Sequence, residues 1–448
     1  MNSPHTAAQR ALLAAEARFI ANNPLSQKQH TLAASSLPGG NTRSLLHTSP
    51  FPLTMNRGQG THLWDEDGHK YLDLAGDLSA GLLGHTPHPA VRRALLTALD
   101  SVGLNLGATS VQEERHAALL CTRFRLDRVR MSNSGTEANL HALAGARAFT
   151  GRRRVVVFTG GYHGGVLSFP SARGVQGNTV DARDFVVVPG YNDLEGARRV
   201  VERVAAEGDL AAVLVEAVQG AGGVIPGTEG FLRGLRDAAR AVGAVFILDE
   251  VMTSRLAPSG LGFELGLDPD LVTLGKYLGG GLTFGAFGGR AEIMAVYDPR
   301  LAGSLAHSGT FNNNTLAMHT GYAALSEVYT PEVSVAFNAE GDALRERLVV
   351  VARGTRLSFT GRGSLIGLHF TEDGTEEITS GEQIRGKERG DLRDLFWFEM
   401  LEAGFWITRR GFIALMLGTL GEELDGFVQA VSSFLGRHRD VMTKCNQV

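Results

Sequence analysis

Between about residues 90 and 300, short apolar runs at 155–158, 185–188, 212–215, 245–248 and 271–273 alternate with stretches of helical periodicity such as 194–206 and 231–242. Runs this free of polar residues suit strands covered on both faces, and helices between strands join them in parallel. The expected architecture is therefore α/β, a mostly parallel sheet clad by helices on both sides. At 448 residues and 43% hydrophobic content, the chain exceeds one ordinary core, so a smaller companion domain is expected beside the large one.

The pattern changes at both ends. Beyond residue 315, a long helical stretch leads to a strand at 365–370, a polar segment at 371–390 read as an exposed loop, and helices at 392–403 and 424–435 framing a short strand near 412–417. This reads as a smaller α+β domain. The start reads as a helix, a Gly/Pro-rich bend at 37–41, and strands around 63–64 and 71–74 joined by a turn in which Gly68 supplies a permissive backbone. The expected division is 1–60 for an N-terminal helix and arm packing with the small domain, 61–315 for the large domain, and 316–448 for the small one.

A net charge of -4 offers no basic field for nucleic acid or anionic lipid, and no apolar run of about eighteen residues suggests a membrane span. Two cysteines, Cys121 and Cys445, show neither metal-ligand spacing nor a disulfide framework, which fits a reducing, cytoplasmic setting and no metal. Residues 1–20 carry alanines and arginines like a transit peptide, but Glu16 and the polar stretch that follows favour an ordinary amphipathic helix.

Arginine supplies nearly all of the positive charge, and Lys276 is the only lysine between Lys70 and Lys387. A guanidinium keeps its charge at every accessible pH, whereas a lysine desolvated in an apolar pocket sheds its proton and attacks an aldehyde. An apolar approach at 271–274 and a glycine run at 279–281 flank Lys276. Upstream, the run 245–248 ends in Asp249, Glu250 and Val251, which places carboxylates at the carboxyl end of a buried strand, the edge where open α/β sheets bind ligands.

Two further segments converge on that edge. Residues 132–139 read S-N-S-G-T-E-A-N ahead of a helical stretch at 140–149, with Ser134 and Glu137 in capping-box spacing and Gly135 and Thr136 in the first turn, where free N–H groups bind phosphate. Most capping boxes only cap helices. After the run 155–158, Gly160, Gly161, Tyr162, His163 and Gly164 bring an aromatic ring and an imidazole to the same edge. Phosphate site, aromatic platform, strand-end carboxylate and lone lysine together describe a phosphorylated aromatic aldehyde held as a Schiff base, which is pyridoxal 5'-phosphate (PLP). An aspartate facing the pyridine nitrogen keeps it protonated so that the ring accepts electrons, and the freed lysine carries a proton as general base and acid.

The motifs SGTEAN, GGYHG, VEAVQGAGG, LDEVMTSR, TLGKYLGGG and HSGTFNNN resemble, in order and over nearly the whole chain, those of the class III aminotransferases of fold-type I. Within that class, PGGNTRS, FPLTMNRGQG, DEVMTSRLAP and GGGLTFGAFGGR resemble the branch of glutamate-1-semialdehyde aminomutases and β-amino acid (β-phenylalanine) aminotransferases. The resemblance implies a central sheet of the seven-stranded type. It also implies that Lys276 carries the cofactor, that Asp249 partners the ring nitrogen, and that Tyr162 and Val251 cover the two ring faces. Ser134, Gly135 and Thr136 would hold the phosphate, joined by Thr310 from a second subunit, which implies a homodimer with shared sites. Glu216 and Gln219 would line the cofactor's oxygen side, with His163 and Met252 completing its surroundings.

For substrates, the resemblance makes Arg43 the grip on the donor's carboxylate and Arg410 the grip on the α-carboxylate of the acceptor, with Asp77, Leu78 and Ser79 finishing the pocket where relatives often carry Glu, Tyr and Thr. Ala221 stands where ornithine- and γ-aminobutyrate-type relatives have a glutamate, which disfavours those substrates. The expected reaction moves an amine from a β-amino acid or related ω-amine to 2-oxoglutarate or pyruvate. An aminomutase, which needs no external acceptor, is the alternative, and Arg410 weighs against it. A silent binding relative is a third reading, opposed by the intact Lys276, Asp249 and phosphate loop.

Overall fold

The structure, a computed structural model, describes residues 6–170 and 182–443; Cys445 lies outside them. The main sheet has seven strands among the described residues: β1 Arg128–Ser132, β2 Arg154–Phe158, β3 Phe185–Val188, β4 Leu210–Glu216, β5 Val245–Asp249, β6 Leu271–Gly275 and β7 Gly285–Gly289. Their order in space is β1-β7-β6-β5-β4-β2-β3. The five strands from β6 to β3 run parallel, and β7 is antiparallel to both of its neighbours.

The apolar runs are continuous because helices cover both faces. Val155, Val157, Ala212, Leu214, Val245 and Ile247 pack with Ala138, Ala142 and Ala146 of helix α1, Gly135–Thr150. Their alternates Val156, Phe158, Val213, Val215, Phe246 and Leu248 pack with helices α2, Leu194–Ala206, and α3, Glu229–Ala241. Burying each such valine or leucine contributes about 1.5–3 kcal/mol, so the strands form a rigid platform for whatever stands at their ends.

Two sheet members escaped the pattern. β1 mixes charge with apolar residues, and β7 is Gly-Ala-Phe-Gly-Gly, which imitates a turn. Glycine is required in β7 because a Cβ on Gly285 would lie 2.1 Å from the carbonyl oxygen of Ser134. The head of α1 rests directly on this strand.

The later part forms a three-stranded antiparallel sheet, β8 Leu357–Arg362, β9 Leu365–Phe370 and β10 Phe412–Ala414, packed by helices Pro331–Ala352, Gly390–Glu402 and Gly421–Arg437. β10 ends three residues before the expected strand does, and β8 was not legible. The segment 371–390 departs from the expected exposed loop: Thr371, Ile378 and Ile384 are buried, because it folds back over the turn at 220–224. Phe19 of the N-terminal helix Ala7–Asn22 packs on Phe51, Trp397 and Phe398. The hairpin of strands Met55–Gln59 and His62–Asp65 crosses the expected boundary at residue 60 and continues through Lys70–Asp73 to Phe405–Trp406.

Candidate active site

Parallel register brings the acidic groups together. Glu216 and Asp249 are partners at the carboxyl ends of β4 and β5, Thr273 of β6 stands beside Asp249, and Lys276 follows three residues later. Asp249 is buried, and its carboxylate is fully engaged: Oδ2 accepts from Asn139 Nδ2 at 2.8 Å and lies 2.8 Å from His163 Nδ1, while Oδ1 accepts from the Val251 backbone N–H at 3.0 Å. His163 thus stands behind Asp249 as a hydrogen-bond partner, a buried position that its place after a strand did not reveal.

Lys276 has a left-handed backbone (φ 59°), rare for a residue with a side chain and enriched where function over-determines the backbone. Its Nζ donates to Ser79 Oγ at 2.9 Å and to the Leu78 carbonyl. Burial pushes its amine down to about 8, opposed by Asp249 and Asp77 and reinforced by Arg255 and Arg410. Glu216 is held well above the usual carboxylate range, first by burial and then by Asp249, against the pull of Lys276 and backbone N–H groups from Gly220 and Tyr162. One oxygen, Oε2, is buried without a partner among the described residues. Two buried carboxyl groups, one of them held above the usual range, and an amine brought down to about 8 therefore share one sheet edge.

The head of α1 faces the same edge. Ser134 Oγ accepts from the Glu137 N–H at 3.2 Å, and Glu137 Oε2 accepts from the Asn133 N–H at 2.8 Å, so the reciprocal half of the expected capping box begins one residue upstream of Ser134. The first-turn N–H groups of Gly135 and Thr136 have no intrahelical acceptor and carry the positive end of the helix dipole. The backbone beside them is too closely packed to admit a side chain: a Cβ on Gly135 would lie 2.7 Å from Val251 Cγ1, and one on Gly164, at φ +127°, would lie 2.3 Å from Thr136 Oγ1. Val251 also borders Gly275, and Tyr162 is 48% exposed on the open side. Gln219 Nε2 donates to the Thr159 carbonyl at 2.9 Å, and Met252 packs over Gly220.

The expected substrate residues fall into two groups. Arg43 Nη1 pairs with Asp77 Oδ1 at 2.8 Å, both half-exposed, so the arm and the turn that carry them meet. Arg410 lines a cleft between the 220–224 turn and β9, with its guanidinium over the Phe412 ring and within electrostatic reach of Glu216, Tyr162 and Lys276. Its neighbour Arg409 is committed elsewhere, in a two-point pair with Asp394 at 3.0 and 2.8 Å, whereas Arg410 holds no ion pair among the described residues. Thr310 sits in an exposed segment beside Phe311 and two residues before Asn312, whose Oδ1 accepts from Asn133 Nδ2 at 3.0 Å.

Sequence reasoning missed Asn139 and Arg255. Asn139 closes the SGTEAN motif one helical turn past Gly135, a spacing that turns it toward the strand ends; its Oδ1 accepts from Thr273 Oγ1 at 2.9 Å, so both ends of the amide are used. Arg255 closes the LDEVMTSR motif as a fully buried cation, and no local pattern marks it as such.

The aminotransferase class-III model matches residues 46–420. The β-phenylalanine transaminase of Variovorax paradoxus is 47% identical over 445 residues, 99% of this chain and 100% of the relative. The solved β-phenylalanine aminotransferase from that organism superposes with a TM-score of 0.93, covering 98% of this chain and 100% of its own. Glutamate-1-semialdehyde 2,1-aminomutase 2 of Anoxybacillus flavithermus (strain DSM 21510 / WK1) is 34% identical over 93% of this chain and 99% of its own. A transaminase solved with PLP bound, 29% identical, superposes with a TM-score of 0.82 over 93% of this chain and 98% of its own.

Proposed function

The chain belongs to the class III aminotransferases, PLP-dependent enzymes, and from that premise we propose that it transfers the amino group of an aromatic β-amino acid, or a related ω-amine, to 2-oxoglutarate or pyruvate in alternating, ping-pong half-reactions. The observation that carries this reading is Arg410: beside Lys276 and Glu216 it holds no ion pair among the described residues, while the adjacent Arg409 is tied to Asp394. A cation held for an acceptor's carboxylate is needed by a transaminase and not by an enzyme that recycles one substrate.

The residues present fit PLP. The N–H groups left free at the head of α1, the buried carboxylate of Asp249, and a Glu216 oxygen without a partner among the described residues, beside a low-pKa lysine, match a phosphate, a ring nitrogen and a polar ring edge. When bound, the cofactor supplies an electron sink for breaking a bond at the amine-bearing carbon. The N–H groups of Gly135 and Thr136, with Ser134 near them, would hold the phosphate. Asp249 would hold the proton on the ring nitrogen, with Asn139 and His163 fixing its orientation. Tyr162 and Val251 would flank the ring, and Glu216 and Gln219 its oxygen side, near His163 and Met252. Lys276 Nζ, near neutrality, would take the proton from the donor's carbon and return it one position away. Arg43 would grip the donor's carboxylate after exchanging Asp77 for it, and Arg410 the acceptor's, with Leu78 and Ser79 bounding the pocket.

We further propose a homodimer in the cytoplasm, with the domains divided at about residues 60 and 315. Exposed Leu96, Leu99, Val102, Leu104, Leu106 and Phe311 support a second copy as cover, and Thr310 beside Phe311 would then serve the partner's phosphate site. Cys121 is unpaired among the described residues, and no described helix is long and apolar enough to cross a membrane. The aminomutase reading keeps support from the 34% identical relative. Mixing purified enzyme with β-phenylalanine and following the cofactor's absorbance tests the donor, and adding keto acids singly tests the acceptor. Turnover of glutamate-1-semialdehyde without any keto acid would replace this reading. Borohydride reduction and peptide mapping test Lys276 separately, because a label on another lysine removes its role.

A further inference from the structure

The turn at Asp77, Leu78 and Ser79 has three consecutive non-glycine residues in the left-handed region, with φ of 41°, 55° and 75°. Side chains rarely adopt this conformation, and a run of three persists only where neighbours impose it. The neighbour here is Arg255, 0% exposed. Its guanidinium donates to the Ser79 carbonyl at 3.4 Å, to Ser364 Oγ at 3.1 Å and to the Leu415 carbonyl. Its own carbonyl accepts from the Tyr329 hydroxyl and from Asn338 Nδ2 at 2.8 Å. The far side of the turn receives Lys276, whose Nζ donates to Ser79 Oγ and the Leu78 carbonyl. One line of hydrogen bonds thus runs from a buried cation through a strained turn to the lysine.

We propose that Arg255 is a positioning residue that shapes the Leu78–Ser79 turn into a cradle, in which the Lys276 amine rests whenever it is not bonded to the cofactor. The proposal rests on Lys276 being the cofactor-bearing lysine. Its physical content is twofold. A lysine released by substrate would otherwise swing into the cleft and compete for Asp249 or Glu216, whereas the cradle offers two oxygen acceptors and keeps Nζ on the reacting side. The guanidinium, whose acceptors among the described residues are all neutral and which has the Phe337 ring 5.5 Å away, also opposes a second positive charge on Nζ. The charged groups facing that amine are Asp249 from β5, Glu216 from β4, Asp77 from the turn, Arg410 from the small domain and Arg255 itself. The amine's fall to about 8, caused first by burial and with Arg255 among the groups lowering it, agrees with this arrangement.

The test is competitive labelling of lysines with trace acetic anhydride across pH, on the full-length protein freed of cofactor, with peptide mapping and with cofactor then restored to check that each variant still takes it up. Wild type should label Lys276 with a midpoint near 8. Arg255→Met and Arg255→Gln both remove the cation and should raise the midpoint by about one unit, which is about tenfold less free amine at neutral pH. Ser79→Ala removes an acceptor that favours the ammonium and should lower the midpoint. A merely structural arginine predicts another pattern, with every loosened variant drifting up toward the ordinary 10.5. A midpoint within about 0.3 unit of wild type in Arg255→Gln, or a rise in Ser79→Ala, overturns the proposal, and Ser79→Ala decides alone if both Arg255 variants fail to regain cofactor. Trapping of cofactor on another lysine would instead remove the role of Lys276 while leaving these midpoints readable.

Discussion

Replacing Asn139 by aspartate would put two carboxyl groups where the structure has an amide and a carboxylate 2.8 Å apart. The side chains have nearly the same shape, so the perturbation is one of charge. At this separation and an effective dielectric constant of about 20, two unit charges repel by about 6 kcal/mol, and relaxation leaves roughly 3–6 kcal/mol. The introduced carboxyl should therefore hold its proton and donate to Asp249 in place of the lost amide, with its pKa raised by about 2–4 units from about 3.9. A group whose pKa is raised by folding gives its full stability below the unfolded value and loses it as pH rises through the folded one. Destabilisation should thus accumulate at about 1.4 kcal/mol per pH unit from about pH 4 to between about pH 6 and 8. The assay is the thermal midpoint of the cofactor-free variant minus that of wild type between pH 5 and 9, with Asn139→Ala as the uncharged reference. The aspartate variant's deficit should widen by several degrees over this range, at roughly 1–2 °C per kcal/mol in a chain this long, while the alanine variant's stays level. A deficit independent of pH in the aspartate variant would refute the contact between position 139 and Asp249.

Three further outcomes follow from the same geometry. Asp249→Asn should keep the cofactor bound yet lower turnover by about 100-fold or more, since a neutral amide cannot hold the ring nitrogen protonated; turnover within a few-fold of wild type in a steady-state assay contradicts that role. Arg410→Ala should weaken use of 2-oxoglutarate or pyruvate by about 2–5 kcal/mol while sparing the half-reaction with a β-amino acid, and Arg43→Ala should do the reverse; equal losses in both half-reactions would unseat the assignment. Gly285→Ala should destabilise the protein by about 1–3 kcal/mol or more, because its Cβ would strike the Ser134 carbonyl at 2.1 Å. It should also weaken cofactor retention on dialysis, because the displaced carbonyl belongs to the head of α1.

What could be read from the chain alone is set by local rules. The parallel core strands announce themselves because double-sided burial forbids polar residues within them, and the strand-end Asp249, the helix head at Ser134 and the lone Lys276 follow from where such strands stop. The motifs around them carried the family, and family comparison bears that reading out. β1 and β7 were illegible because an edge strand may keep its charges and a strand pressed against another backbone must be glycine, so neither obeys the apolar pattern. The loop at 371–390 misled for the opposite reason: its polar composition conceals Ile378 and Ile384, which are buried only because the chain returns over the 220–224 turn. Tertiary structure alone decided that His163 stands behind Asp249, that Asn139 binds the same carboxylate, that Arg409 is spent on Asp394 while Arg410 holds no ion pair among the described residues, and that Arg255 reaches Lys276 through Ser79. Each of these is a contact between residues tens to hundreds of positions apart or a choice between neighbours of one chemical type, and the direction a side chain takes is fixed by what packs around it rather than by the residues beside it.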